Sequence, residues 1–317
     1  MPDLSVGGQA VIEGVMMRST DRVSTAVRRA DGTIEVRNED FVPISKRNKL
    51  YGLPIVRGAI SFIEMLVIGI RSLNFSAEVA SIDIDKQEGK DVDDRTPSKS
   101  TSFMLAVTVI IALALAIGIF FFLPLWFSSL LNVDKDALAF NLVAGAIRVV
   151  MFLLYIWGIS FFGEFKRVFQ YHGAEHKTIN AYEAGVNLTP ENAKKYSTRH
   201  PRCGTSFILI VAIFAMLVYS ISDTVYSIWT GSPPTLLTRF LIHFSLLPFV
   251  AGGSYELLKL SGKTRDNRLT RLLIIPGIWL QAITTREPSL RQLEVAISSL
   301  NNALRSETEQ GEVSLNS

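Results

Sequence analysis

His172-Gly173-Ala174-Glu175-His176 sets two of the four histidines in this chain four residues apart, with a glutamate just before the second. On an α-helix, positions i, i+3 and i+4 share one face. Both imidazoles can therefore reach one metal ion while the Glu175 carboxylate acts on a bound water. H-x-x-E-H is the inverted zincin arrangement, a zinc-hydrolase signature. His172 and His176 are the candidate ligands of a divalent transition metal, zinc foremost, and Glu175 is the candidate general base. The plainer alternative is a pair of capping or solvent-facing histidines at a membrane surface.

The same helical face continues through Asn180 and Glu183. Glu183 stands roughly 16 Å of helical rise from His172, too far to share a metal with both histidines, so it reads as a supporting group or one pole of a wider site. Further ligands must come from elsewhere. His200 and Cys203, three apart, are the next histidine and the only thiol, an N/S pair that suits zinc. Alternatively, Cys203 is a small buried residue at a helix start. Glu164 and Glu256 end apolar segments on the same side, and Glu256 follows Gly252-Gly253 on a short span of the kind that lines sites. His243 reads as structural.

These groups must be held by a largely apolar chain. Of the 317 residues 48% are hydrophobic, and mean hydropathy is +0.29. Ser100 to Val133 carries no charge, and Ala137 to Gly163 carries only Arg148. Cys203 to Ser222 and Phe240 to Tyr255 are also uncharged. A bilayer core demands about 20 residues per helix, which predicts four spans at about 102–126, 137–163, 205–229 and 236–256. No signal peptide is apparent.

Lys and Arg are distributed unevenly. Residues 1–100 carry 14 of the 32, residues 164–204 carry 7, and residues from 256 onward carry 8. The positive-inside bias then predicts both termini and the 164–204 loop in the cytoplasm, with the chain in the cell membrane. Cys203 lies on the reducing side, without a disulfide partner. A net charge of +3 gives no case for nucleic acid.

The expected fold class is mainly α: a polytopic membrane protein with about four transmembrane helices, a small N-terminal β-meander and cytoplasmic amphipathic helices. Residues 1–82 form the first unit. In it, Val11–Ser19, Val23–Arg29 and Thr33–Phe41 are β-rich runs, with Asp31-Gly32 as a turn. Leu53–Ser81 is a long helix, on which Arg57, Glu64, Arg71 and Glu78 recur every seventh residue. It either lies in the interface or packs on the spans with this stripe facing protein; a fifth span is the alternative. Residues 83–100 read as a flexible linker. Residues 101–304 form the membrane domain, and 305–317 a disordered tail.

Within the membrane domain, the second span is expected to continue through Lys166 and Arg167 into a helix ending at Gly185. Pro190–Tyr196 reads as a short helix. Leu269–Gln281 is expected on the membrane surface, and Thr284–Pro288 precedes a final helix to about Leu304. Arg148, mid-span, needs a partner, and Glu64 is the candidate. Arg57 and Arg71 could instead take a phosphate or lipid head group.

Four segments carry a family resemblance: Gly7-Gly8-Gln9-Ala10-Val11-Ile12-Glu13-Gly14-Val15-Met16-Met17-Arg18, Phe169 through Lys177, His200-Pro201-Arg202-Cys203-Gly204-Thr205-Ser206, and Gln281 through Pro288. Over about residues 5–304 the chain resembles the YqhQ family, bacterial membrane proteins of undetermined function often labelled predicted metal-dependent enzymes. The resemblance implies a multi-pass membrane protein; its enzyme label rests on the same histidine motif. Two functions stay open. One is a membrane-bound metal-dependent hydrolase acting on a lipid-linked or membrane-protein substrate. The other is a non-enzymatic scaffold or assembly factor with a closed structural metal site. A transporter is a weaker third, since no internal repeat is apparent.

Overall fold

Val15, Met17 and Ala26 are buried on one face of a small sheet, while Val11 and Val27 are buried on the other. The sheet is therefore covered on both sides, and Ser24 and Thr25 of a central strand are buried along with the apolar residues. The computed structural model describes residues 6–89, 99–131, 137–263 and 268–304. In it the strands β1 (Gly7–Val11), β2 (Gly14–Arg18), β3 (Arg22–Arg28) and β4 (Ile34–Asp40) pair antiparallel in chain order. The expected run Val11–Ser19 thus splits. Ile12-Glu13 turns the chain tightly between the paired Val11 and Gly14, with Glu13 at φ 50°. A β-carbon on Gly14 would lie 2.3 Å from the Ala26 carbonyl oxygen, so only glycine lets the neighbouring strand close in.

Helix α1 (Val56–Gln87) covers the Val11–Val27 face through Phe75 and Val79. Its Ser72 and Ser76 hydroxyls meet Thr25 Oγ1 at 3.0 Å and the Ile12 N–H at 3.2 Å. It runs past the expected end at Ser81, so the first residues of the anticipated linker are helical; residues 90–98 and the tail 305–317 lie outside the described residues. The stripe on α1 faces protein partners. Arg57 Nε donates to Glu256 Oε1 at 2.6 Å, Glu64 accepts the Ile44 N–H at 2.7 Å, and Arg71 lies 3.8 Å from Glu39. The expected Glu64–Arg148 pair does not form.

Among the described residues, three helical stretches are long and apolar enough to cross a membrane: Val107–Leu130, Leu138–Ile159 and Ile210–Thr230. The first joins α2 (Lys99–Ile117) to α3 (Leu123–Leu130) through a π-helical turn at Gly118–Phe122. The second lies in α4 (Ala137–Ile159). It does not continue into the next helix as expected: Phe162 is extended (ψ 135°) and starts α5 (Gly163–Glu183) afresh. Gly185 at φ 70° ends α5, with Gly185 N–H bonding Tyr182 O and Val186 N–H bonding Ala181 O. After α6 (Pro190–Lys194), the third stretch lies in α7 (Gly204–Thr230). The fourth expected span is a pair, α8 (Leu236–Ser245) and α9 (Leu247–Lys263), bent by 51° at its break.

Helix α10 (Arg268–Thr284), expected on the membrane surface, packs along α7 and leaves Ile275 and Trp279 exposed. Helix α11 (Leu290–Leu304) begins with a capping box, in which Ser289 Oγ accepts the Gln292 N–H and Gln292 Oε1 accepts the Ser289 N–H. Leu293, Ala296 and Leu300 then join Tyr171, Ala174 and Val15 in the main core. The sheet thus rides on α1 and is roofed by α5 and α11, which fixes the helix that carries the histidines.

A second buried polar group lies near the end of α7 remote from Cys203. The Asp223 carboxylate takes Asn141 Nδ2 at 2.9 Å, Arg239 Nε at 3.1 Å and His243 Nε2 at 3.0 Å, all buried. His243 stacks on Tyr219 at 4.1 Å, and Arg239 lies over the Phe140 ring at 3.6 Å. His243, expected from sequence to be structural, is enclosed between Asp223 and Tyr219. Asp223 thus joins Asn141, Arg239 and His243 in one buried group.

Candidate metal centre

Gly173 lets another segment lie directly on α5. The Arg286 N–H donates to the Phe169 carbonyl at 2.9 Å, which lays residues 284–287 across the helix. The His172 Nδ1–H then reaches the Thr284 carbonyl at 2.8 Å. One turn later, the His176 Nδ1–H gives to the Thr198 carbonyl at 2.6 Å. A carbonyl can only accept, so Nδ1 of each ring is the donor, and in the neutral ring Nε2 carries the lone pair.

His172 Nε2 lies 3.3 Å from Cys203 Sγ. His176 Nε2 is buried and has no hydrogen-bond partner. One ligand atom from each of His172, His176 and Cys203 lies within 4.8 Å of the others. Two imidazole nitrogens and a thiol are a donor set that suits zinc. An imidazole fixed through Nδ1 by a backbone carbonyl is the usual outer support of a metal-binding histidine. The residues present fit a divalent transition metal.

His200 stands outside this group. Its Nε2 faces Glu183 Oε1 at 3.3 Å, and its Nδ1 accepts the Arg202 N–H at 3.3 Å. Glu183 also pairs with Arg202, so it supports the 200–203 turn rather than a metal, in line with its distance along α5. Cys203 is buried just before α7, in the position a small core residue would take, yet its sulfur points to His172. Glu164 is exposed at the start of α5, and Glu256 is engaged with Arg57.

The loop that brings Cys203 in is tied down by hydrogen bonds. Lys177, buried, donates to the carbonyls of Lys194 and Tyr196 at 2.7 Å each and pairs with Glu287 at 2.8 Å. Asn180 donates to the carbonyls of Ser197 and Arg199. Gln281 of α10 accepts the His200 N–H at 2.8 Å and donates to the His200 carbonyl at 2.9 Å. Thr198, Thr284 and Gln281 were not legible as site residues, because main-chain acceptors and a lone amide leave no chemical signature in a sequence.

Glu175 lines a cavity of about 210 Å³ together with His176, Cys203, Gly8, Arg18 and Arg202. Burial pushes its carboxyl above the ordinary range, against the pull of His172 and of the Gly8 N–H. Strand β1 therefore serves the site directly. Glu13, on the β1–β2 turn, pairs with Arg167 and accepts the Tyr171 hydroxyl at 3.3 Å, which clamps α5 to the sheet.

No solved structure matches this chain significantly. The chain is 37% identical over 308 residues to the "Uncharacterized protein YqhQ" of Bacillus subtilis (strain 168), covering 95% of this chain and 92% of that protein. A family model described as "Protein of unknown function (DUF1385)" matches residues 53–306, which takes in His172, Glu175, His176 and Cys203. The four motifs, the helical fold and these two matches agree, and the chain belongs to the DUF1385 family, whose function is unknown.

Proposed function

We propose that the chain is a membrane-embedded, metal-dependent enzyme of the hydrolase class, with a divalent transition metal, zinc foremost, held by His172, His176 and Cys203. The observation that carries this reading is the buried, unpartnered Nε2 of His176, on a ring whose Nδ1–H is already committed to Thr198. A buried ring nitrogen left without a partner costs roughly 1–3 kcal/mol, and a metal shared with Cys203 and His172 would relieve that cost.

A zinc ion bound there supplies Lewis-acid activation of water. Glu175 lines the same cavity and would accept the proton of the attacking water. The Thr284 and Thr198 carbonyls hold both rings in the required tautomer. With apolar helices beside the site, a lipid-linked or membrane-protein substrate is the natural class. The charge bias supports both termini and the 164–204 loop in the cytoplasm.

A closed structural metal site is the competing reading. Lys177, Asn180 and Gln281 already tie residues 194–200 without a metal. Among the described residues three ligand atoms converge, which would leave a fourth position, as catalytic zinc requires and structural zinc does not. Both points favour the enzyme.

The test is elemental analysis of the full chain purified in mild detergent. About one transition metal per chain is expected, and it should be lost in the double variant H172A/H176A. Equal metal content in variant and parent would end the metal reading.

A further inference from the structure

Arg148 is the eleventh residue of the 22-residue stretch Leu138–Ile159, which puts its guanidinium near mid-bilayer if that helix spans. A charge at that depth is costly and is normally paired. Among the described residues no carboxylate pairs with it. Its Nε donates to the Phe120 carbonyl at 2.9 Å. Pro124 has no N–H and so cannot bond that carbonyl, four residues back, as a regular helix would. The carbonyl is exposed by the π-helical turn Gly118–Phe122, a type of irregularity frequent at functional sites. The Phe121 ring lies under the guanidinium at 5.3 Å. Nη2 is buried and has no hydrogen-bond partner.

Arg148 lines a cavity of about 390 Å³, formed between α2, α4, α7, α9 and α10. Its walls are apolar: Ala116, Phe152, Val211, Ala212, Ala215 and Val250 are among them, and Arg148 is the only charged residue in the lining. The Tyr219 ring also lines it. The volume falls in the roughly 300–1,000 Å³ range of small-molecule sites, which combine apolar walls with a few polar anchors.

We propose that this cavity binds a long-chain carboxylate, a fatty acid entering from the hydrocarbon side. Its carboxylate pairs with the Arg148 guanidinium and its chain fills the apolar walls. Charge complementarity requires an anion, and the lining requires a hydrocarbon tail. Depth selects the carboxylic acid: it can enter the bilayer core uncharged, whereas a phosphodiester stays charged and is held at the head-group level, roughly 15 Å from the midplane. The bidentate fork of an arginine suits a carboxylate. The site is independent of the histidine–cysteine centre.

The test is native mass spectrometry of the full chain in mild detergent, with palmitic acid, hexadecanol and phosphatidylglycerol offered separately. One palmitate should be retained, with hexadecanol and phosphatidylglycerol at least tenfold weaker. Arg148→Met should lower palmitate retention at least tenfold, and Arg148→Lys should restore part of it. Because Arg148 also holds the Phe120 carbonyl, Arg148→Met could fail to fold. Ala212→Phe, which fills the cavity and leaves the guanidinium, should then abolish retention on its own. Equal retention of palmitate by Ala212→Phe and the parent, or of hexadecanol and palmitate by the parent, overturns the proposal. Preferential retention of phosphatidylglycerol does the same and reassigns the site to a phospholipid.

Discussion

Gly173 and Arg286 approach so closely that a β-carbon on residue 173 would lie 2.0 Å from the Arg286 carbonyl oxygen. The obstacle is main chain, held by the Arg286 N–H bond to Phe169, so it cannot rotate away. This approach is what delivers the Thr284 carbonyl to His172. The glycine in the middle of the histidine motif thus sets a tautomer.

Gly173→Ala separates this account from simple helix propensity. In an exposed helix interior the change would stabilise by about 1 kcal/mol. Here overpacking against backbone should outweigh that gain and destabilise by about 1–3 kcal/mol. Thermal unfolding of the full chain in detergent reads the sign. An unchanged or raised midpoint would contradict the packing described for residues 284–287.

Glu175→Gln distinguishes catalyst from staple. The amide keeps the shape, and Glu175 is not among the three proposed ligands, so metal content and membrane abundance should match the parent. Cellular function should fall, since general base catalysis is commonly worth roughly 10²–10⁴-fold. Complementation beside a metal count and an abundance blot provides the measurement. Full complementation at normal abundance excludes Glu175 as the base.

The buried group around Asp223 makes a stability prediction far from the site. Asp223→Ala leaves the Arg239 guanidinium buried without its carboxylate and should cost about 3–5 kcal/mol. Asp223→Asn keeps one acceptor for Arg239 and should cost less. Detergent-extracted yield and unfolding midpoint rank the two variants, and a reversed order would show that charge is not what this cluster needs.

Orientation is tested by reporter fusions after residues 100, 185 and 300, expected in the cytoplasm, and near 134 and 230, expected outside. A reporter after residue 185 that reads outside would place the histidine centre on the opposite face and defeat the proposed topology.

Much of this architecture is local and therefore readable in one dimension. About 20 apolar residues must cross a bilayer core, so the stretches at 107–130, 138–159 and 210–230 stand out without any contact being known. The helical period alone puts His172, Glu175 and His176 on one face. Gly185 stops α5 because a left-handed residue closes a helix end. The break at Ser160–Phe162 carries no such mark, and a continuous helix was the natural expectation. The tight turn at Ile12-Glu13 was hidden for the same reason: neither residue is a usual turn former, and the turn is imposed by strand pairing on both sides.

The amino-acid sequence by itself determined the apolar spans, the shared face of the two histidines and the shortlist of His200 and Cys203. Only the tertiary structure shows which of those last two stands beside His172 and His176. They are three residues apart and chemically equal candidates, but Gln281, 81 residues from His200, grips that residue's backbone and orients the turn. Cys203 then meets His172, while His200 is turned to Glu183. Arg148 shows the same division. Its mid-span position announced that it needs a partner, yet Glu64 is spent on the Ile44 N–H and Arg148 reaches the Phe120 carbonyl instead. Periodicity and hydropathy act over one or two turns of chain, whereas a partner is chosen by which distant backbone closes against it.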